Sequence, residues 1–435
     1  MANMFDDALN GIEVPADPPA AKATKARKAA TGTVLPTDTE PADDTSAADR
    51  IAKIQAQIDA IVDGVYFDLP DEVYHGVPRL SASGLAKIAV SPGTFWAGSW
   101  LDPDRAPLDD GSTPAQVIGK AYHCARLEPD AFADRYVRAL DKGDMPKGTL
   151  FTGTDMSKAL GDLDLPKSGS VAEQAKRLAD AGYPGTVWHT ELAAWEAERG
   201  DRVPLPAEVW DDIVVDMQRM ASSPIADKFT GGAAEVSIFW TDADGIKMKC
   251  RVDYLRPDLW TDLKSYANPN GKNTEQALSD AFRYSRYYMQ AVTYREGIEA
   301  VRNDGLCIIG EATDDQRALI AAIQIKPSEL ACHYVFQEKG GIPNLWSRHV
   351  QFYEVPFNTK LGHAGADDAA VAAVEEGARK RTKLFMRGLV DVEHAKGQFV
   401  LYSQVYEPGQ PWQPIEPEGT FSDIDFNGYW LDGVQ

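Results

Sequence analysis

A short segment near the middle of the chain carries the residue types of a hydrolytic metal site. Asp253 ends the run Lys249-Cys250-Arg251-Val252-Asp253, and Asp262-Leu263-Lys264 follows nine positions later. Successive side chains of a strand point to opposite faces, so Asp262 and Lys264 share one face while Leu263 points into the core. Carboxylate oxygens are the ligands that Mg²⁺ and Mn²⁺ prefer. Together with a lysine they suit metal-assisted hydrolysis of a phosphodiester bond.

The surrounding pattern predicts the elements that must position these side chains. Alternation with a period of two, a turn and a second alternating run predict a hairpin, a third strand follows, and a helix comes next. The predicted elements are strands at 235–240, 246–255 and 259–264, a turn at 242–245 and one long helix at 274–300. An Asp-x-Lys tripeptide alone arises by chance about once or twice in a chain of this size. The prediction therefore depends on the tripeptide together with the strands and the helix around it.

The rest of the chain is predicted to fall into three regions. Residues 1–45 are rich in Ala, Pro, Thr and Asp and are expected to be a disordered arm. Residues 46–63 form a separate helix with isoleucines at helical spacing, whose packing partner the sequence leaves open. Residues 64–435 form one domain with an insertion at about 141–200 and an extended C-terminal region. The fold class is α/β, a mixed central sheet flanked by helices, with the two aspartates where their strands diverge.

Capping residues and periodicity predict the other elements of this domain. The first predicted helix begins at Ser81 or Ser83, and Ser91-Pro92 breaks it from a second short helix; others run over 113–127, 170–181, 207–222 and 367–389. The predicted strands are at 319–325, 332–337 and 349–355.

Composition limits the class of protein. The net charge is −22, but the segment 231–300 holds nine Lys and Arg against ten Asp and Glu, so the acidic excess lies elsewhere. Binding to DNA is therefore expected to be modest and sensitive to salt. Four dispersed cysteines argue against an iron–sulfur cluster, a zinc ribbon or a disulfide framework. The absence of a long apolar run and of a signal-peptide pattern predicts a cytoplasmic protein without a membrane span.

The order of these residues resembles the PD-(D/E)xK nuclease superfamily. The matching positions are Glu235, Lys249-x-Arg251-x-Asp253, Asp262-Leu-Lys264 and Gln290-x-x-x-Tyr294. The Gln-x-x-x-Tyr helix after the lysine is similar to the RecB-like and RecE-like branch. The stretches YHGVPRLSASGLAKIAVSPGTFW and GKAYHCARLEPDAFADRY resemble the exonuclease domain of phage and prophage RecE-type proteins. The resemblance covers about 66–140 and 205–300.

The resemblance implies a role for each matching residue. Asp253, Asp262 and the Leu263 carbonyl would bind metal, His123 would be a ligand of a second metal, and Lys264 would be the catalytic lysine. Gln290 and Tyr294 would face the site, and Glu235 would be an acid behind the metal ligands. Lys249, Arg251, Arg283 and Arg286 are candidates for contacts with the DNA backbone. Ordinary surface ion pairs, a core histidine and solvated strand or helix faces are the structural alternatives for these side chains.

The function implied is that of a Mg²⁺-dependent exodeoxyribonuclease, with Mn²⁺ as an alternative and two metals in the site. It would degrade linear double-stranded DNA from its ends, 5′→3′, in phage-type recombination, with a RecT-like single-strand annealing protein as partner and a homo-oligomer as the assembly. One alternative is a Cas4-like or AddB-like nuclease, against which the missing cysteine set argues. The other is a module that binds or assembles on DNA ends and has lost catalysis.

Overall fold

The computed structural model describes residues 47–102, 104, 113–266, 268, 271–326, 330–338, 344–354, 380–406 and 410–412. The predicted N-terminal arm, residues 367–379 of a predicted helix and the tail beyond 412 lie outside these residues. The chain divides into two compact units. The first comprises 1–46, 111–230 and 337–346, and the second comprises 47–110, 231–336 and 347–435.

The described helices and strands are numbered here in chain order. The α-helices are α1 (Ala47–Asp59), α2 (Asp71–Gly76), α3 (Ala82–Ile88), α4 (Pro92–Trp96), α5 (Pro114–Leu127), α6 (Pro129–Arg135), α7 (Gly153–Asp162), α8 (Val171–Asp180), α9 (Trp188–Arg199), α10 (Ala207–Ala221), α11 (Thr274–Tyr284), α12 (Tyr287–Asn303), α13 (Asp314–Gln324) and α14 (Lys383–Val405). The strands are β1 (Gly64–Tyr66), β2 (Leu80–Ser81), β3 (Tyr136–Arg138), β4 (Val203–Leu205), β5 (Ala233–Thr241), β6 (Lys247–Leu255), β7 (Leu259–Tyr266), β8 (Ala331–Glu338) and β9 (Leu345–Val350).

A seven-stranded sheet forms the centre of the second unit. Its order is β1-β5-β6-β7-β8-β9, with β2 beside β6. The pairs β1–β5, β5–β6 and β6–β7 are antiparallel, whereas the short β2 runs parallel to β6. Strands β5 and β6 are buried along most of their length because helices cover the sheet. This is the mixed α/β architecture that the sequence predicted.

The helices α1, α3 and α4 of the second unit follow the sequence prediction closely. The Ser81 hydroxyl accepts a hydrogen bond from the Gly84 amide at 3.3 Å, and Ser91 caps α4 in the same way. The isoleucines of α1, Ile54 and Ile58, pack in one hydrophobic cluster with Tyr66, Val73 and Tyr74. The partner of α1, which the sequence left open, is therefore on this chain.

Two predicted elements of the second unit are wrong, and the strand predicted over 349–355 is displaced to Leu345–Val350. The single helix predicted over 274–300 is two helices, because Arg286 adopts a left-handed backbone conformation with φ of 54° between α11 and α12. The strand predicted over 319–325 is helix α13. A reciprocal capping box between Thr313 and Gln316 starts this helix, and Leu319, Ile320 and Ile323 are buried on one face.

Two hydrophobic clusters lie within the described residues of the first unit. Helices α5, α6 and α10 surround the first, which includes Ala121, Phe132 and Ile213. The segment 141–200 forms α7, α8 and α9 around the second, which includes Met156 and Leu178. The sequence predicted one helix in this segment, whereas the structure has three. Within the described residues, none of the helices is long and apolar enough to span a membrane.

Candidate active site

Strands β6 and β7 separate at the two aspartates. The strands pair at Tyr254 with Thr261 and at Leu255 with Trp260, and Asp253 and Asp262 are the next residues of each strand. The Asp253 carboxylate accepts a hydrogen bond from the Leu263 amide at 2.7 Å. The Asp253 side chain therefore replaces the next backbone hydrogen bond between β6 and β7. This bond holds both aspartates at the point where the strands diverge.

The second aspartate is completely buried and is bound from two sides. Lys264 Nζ lies 2.5 Å from Asp262 Oδ1, and Gln290 Nε2 donates a hydrogen bond to Asp262 Oδ2 at 2.6 Å. Burial alone would lower the pKa of Lys264, but the carboxylates of Asp262 and Asp253 outweigh it and the pKa is raised. Gln290 is on α12, so this helix and β7 together hold the catalytic candidates. Tyr294, one turn further along α12, is also buried, and its ring lies 5.6 Å from that of Trp260.

Two aromatic residues support this group, and the sequence did not assign them to it. Lys264 Nζ lies over the ring of Tyr287, 4.9 Å from its centroid. The ring of Tyr334 stacks on Tyr287 with centroids 5.7 Å apart. The Tyr334 hydroxyl donates to the Tyr287 carbonyl oxygen at 3.0 Å and lies 3.4 Å from Gln290 Oε1. No spacing rule in the sequence would have linked Tyr334 to the site.

Glu235 faces Asp253 across β5 and β6. Its neighbours Ala234 and Val236 pair with Tyr254 and Val252, which places Glu235 opposite Asp253. Glu235 has a φ of 53°, and carboxylate oxygens of the two residues lie within 4.8 Å of each other. A left-handed conformation costs a residue with a side chain on the order of 1 kcal/mol, and such strain is concentrated at functional sites.

The donor set of this group fits a hard divalent cation. Glu235, Asp253 and Asp262 contribute carboxylates, and these carry more negative charge than the ammonium of Lys264 offsets. Two carboxylates within 4.8 Å of each other, that of Asp253 buried and that of Glu235 half-buried, repel each other unless a cation or a proton compensates for their charge. The residues that are present therefore suit Mg²⁺ or Mn²⁺.

Lys249 and Arg251 lie inside the protein, not on a solvated strand face. Lys249 Nζ donates to the carbonyl oxygens of Tyr74 and Val77 at 2.7 and 2.8 Å. Arg251 forms an ion pair with Asp71 at 2.7 Å. Both cations hold α2 and the chain after it on β6, and both side chains are about 5% exposed or less. Because their charges are engaged within the chain, we do not propose them as contacts with DNA phosphates.

The remaining basic candidates lie near the junction of α11 and α12. Arg283 is exposed and its guanidinium lies 5.3 Å from the ring centroid of Tyr284. Arg286 is half-buried at the junction itself. His123 is buried on α5, in the first unit. Its predicted role as a ligand of a second metal stays a prediction, as do the contacts of both arginines with DNA.

Comparison with known proteins identifies the family of the chain. No curated protein matches the chain. One solved structure, of a "putative exonuclease" from Eubacterium rectale, aligns with 14% sequence identity and a TM-score of 0.29, covering 62% of this chain and 84% of that one. A family model described as a PDDEXK-like domain of unknown function (DUF3799) matches residues 97–331, which is more than half of the chain. The chain therefore belongs to this PDDEXK-like family, within the PD-(D/E)xK nuclease superfamily.

Proposed function

We propose that this chain is a metal-dependent exodeoxyribonuclease that degrades linear double-stranded DNA from its ends. The observation that carries the proposal is the buried Asp262, held between Lys264 and Gln290 where β6 and β7 diverge. The family of PDDEXK-like domains supports a nuclease, and these residues supply the parts that hydrolysis of a phosphodiester requires.

Glu235, Asp253 and Asp262 would hold the metal, which we propose to be Mg²⁺ or, alternatively, Mn²⁺. A bound divalent ion supplies an acidified water molecule as the nucleophile and neutralises the attacked phosphate. By resemblance to RecE-like enzymes, the Leu263 carbonyl would join these ligands, and His123 would be a ligand of a second metal.

Each side chain around the metal ligands has a role of its own. Lys264 places a positive charge beside Asp262, where it would offset the charge that builds up on the phosphate. Gln290 fixes the orientation of the Asp262 carboxylate by its hydrogen bond at 2.6 Å. Arg283 and Arg286 would contact the DNA backbone near the start of α12.

The resemblance to RecE-like domains supports the finer parts of the proposal. These are 5′→3′ polarity, a function in phage-type recombination within the cytoplasm, and delivery of single-stranded DNA to a RecT-like annealing partner. The stretches at 74–96 and 119–136 carry that resemblance.

The test is digestion of end-labelled linear duplex with and without Mg²⁺. We expect the wild-type chain to shorten linear DNA, to leave a closed circle intact and to stop when EDTA removes the metal. Asp262→Ala should be inactive, whereas Lys247→Ala, an exposed lysine of β6, should cleave normally. Whether a label at the 5′ end or at the 3′ end is released first gives the direction of degradation. If wild type and Asp262→Ala bind ends equally but neither cleaves, the chain is a DNA-end-binding module instead.

A second prediction concerns the ring beneath Lys264. Replacing Tyr287 with leucine removes the aromatic face on which the ammonium lies, so we expect the rate of cleavage to fall about tenfold or more. Tyr287→Phe keeps this face and should retain most of the activity. The measurement is the single-turnover rate on linear DNA, with thermal unfolding of each variant as a check on folding. Equal rates for the leucine and phenylalanine variants would rule out a role for the ring.

A further inference from the structure

The last turn of α11 carries one aromatic ring inward and another outward. The ring of Phe282 packs edge-on against Tyr334 at 5.3 Å and against Tyr287 at 6.3 Å, the two rings that support Lys264. Tyr284, the last residue of the helix, is 60% exposed. Among the described residues it is the only exposed tyrosine, tryptophan or phenylalanine. An aromatic ring stabilises a contact when it is covered, so this ring is a candidate for covering by a ligand.

The cation beside this ring has no acidic partner. Arg283 is exposed, and its guanidinium lies 5.3 Å from the centroid of the Tyr284 ring. Within the described residues the Arg283 side chain forms no ion pair and no hydrogen bond. Asp280, one turn earlier on α11, is already bound by Lys272 Nζ at 2.6 Å. An exposed ring and an available cation therefore lie side by side, which is the combination that binds base and phosphate in single-strand sites.

This surface is close to the proposed catalytic lysine. Tyr284 precedes Tyr287 by three residues, so their Cα atoms are at most about 11 Å apart. The Tyr287 ring centroid lies 4.9 Å from Lys264 Nζ. One strand of a duplex advances about 3.4 Å per nucleotide, so a strand bound beside Lys264 can bring a base to Tyr284 a few nucleotides from the cut.

We propose that Tyr284 stacks on an unpaired base of the DNA strand bound at the site, while Arg283 contacts a phosphate of that strand. The ligand class is single-stranded DNA, bound without sequence preference because every base has a face that can stack. The proposal rests on the proposed function for the position of the strand. A protein partner is the alternative ligand for an exposed ring, but the adjacent cation and the proximity of Lys264 favour nucleic acid.

Two probes of the same length separate contacts with bases from contacts with phosphates. One is a 12-nucleotide oligothymidylate, and the other is the same sugar–phosphate chain with abasic sites in place of thymidines. Both are titrated with the full chain in Ca²⁺ and followed by fluorescence anisotropy. Tyr284→Ala should raise the Kd for oligothymidylate about fivefold or more and leave the Kd for the abasic chain unchanged. Arg283→Ala should weaken binding of both probes.

The matched control is Tyr284→Phe, which keeps the ring and deletes only the hydroxyl. It should bind both probes as the wild type does. Thermal unfolding of Tyr284→Ala should stay unchanged, because the side chain is exposed. A single 2-aminopurine placed in the abasic chain reports stacking directly. Its fluorescence should fall when the wild type or Tyr284→Phe binds, but not when Tyr284→Ala binds.

The outcomes separate this proposal from the proposed function. If the chain does not cleave linear DNA but binds oligothymidylate through Tyr284, the nuclease proposal fails and the stacking contact stands. If the chain cleaves DNA but Tyr284→Ala binds oligothymidylate as tightly as the wild type, the stacking contact fails alone. Equal affinity of the wild type for the two probes, or no micromolar binding of either, would also overturn the stacking contact and leave the ring to a protein partner.

Discussion

Replacing Lys264 with methionine is expected to lower the rate of DNA cleavage by about 10²–10³-fold or more, the effect typical of losing one preorganised electrostatic contact in an active site. The substitution keeps much of the side-chain volume but deletes the ammonium 2.5 Å from Asp262 Oδ1. It also leaves the Asp262 carboxylate, which is completely buried, with its charge less compensated. The measurement is the single-turnover rate at saturating Mg²⁺ on an end-labelled linear duplex.

The matched control is Lys247→Met, which removes an exposed lysine from β6. We expect this variant to cleave at the wild-type rate. Affinity for DNA ends, measured by fluorescence anisotropy in Ca²⁺, should change little in Lys264→Met, because its ammonium is buried against Asp262 and Tyr287. A Lys264→Met variant that is folded and cleaves within threefold of wild type would contradict the assignment of Lys264 as the catalytic lysine.

The sequence predicted the part of the site that depends on short-range order. Asp253, Asp262 and Lys264 lie within twelve residues on two consecutive strands, so alternation alone places them on related faces. Gln290 and Tyr294 are one helical turn apart and both lie in α12, so the break at Arg286 does not separate them and helical spacing brings them to the same side. The structure places the Gln290 amide 2.6 Å from Asp262.

The surroundings of the site depend on contacts that are distant in sequence. The sequence predicts that Lys249 and Arg251 contact the DNA backbone or lie on a solvated strand face, because alternation does not show what covers a strand. Their partners are about 175 residues away, around Tyr74 and Asp71. No glycine or proline in the sequence marks the break between α11 and α12. Arg286 takes the left-handed conformation, and Tyr287, the first residue of α12, then stacks on Tyr334.

Helix α13 shows the limit of apolar periodicity on short segments. The run at 319–325 is too short for periodicity to separate a buried helix from a strand. The capping box at Thr313 and Gln316 was present in the sequence and would have decided the question. Local signals at the start of an element therefore carry information that the apolar run does not.

The second large effect concerns stability and lies on the inner side of α14. Lys396 is 5% exposed, and its ammonium lies 2.8 Å from Asp242 Oδ2 and 3.0 Å from both oxygens of Glu296. Trp240 Nε1 donates to Glu296 at 3.2 Å. One buried cation therefore ties α14 to α12 and to the turn between β5 and β6. Burial alone would lower its pKa, but Glu296 and Asp242 outweigh this effect and raise it.

Lys396→Met should therefore lower the free energy of unfolding by about 3 to 5 kcal/mol, because it leaves two acidic groups without their shared cation. A folded-state pKa above the unfolded value means that the stabilisation is complete at neutral pH and is lost only as the pH rises through the folded pKa. Urea denaturation at pH 7 measures the loss.

Lys383→Met, an exposed lysine on the same helix, should change stability by less than about 0.5 kcal/mol. Adding Asp242→Asn to Lys396→Met should restore part of the loss, since it removes one of the uncompensated charges. If Lys396→Met unfolds at the same urea concentration as the wild type, Lys396 does not stabilise the packing of α14 on the rest of the chain.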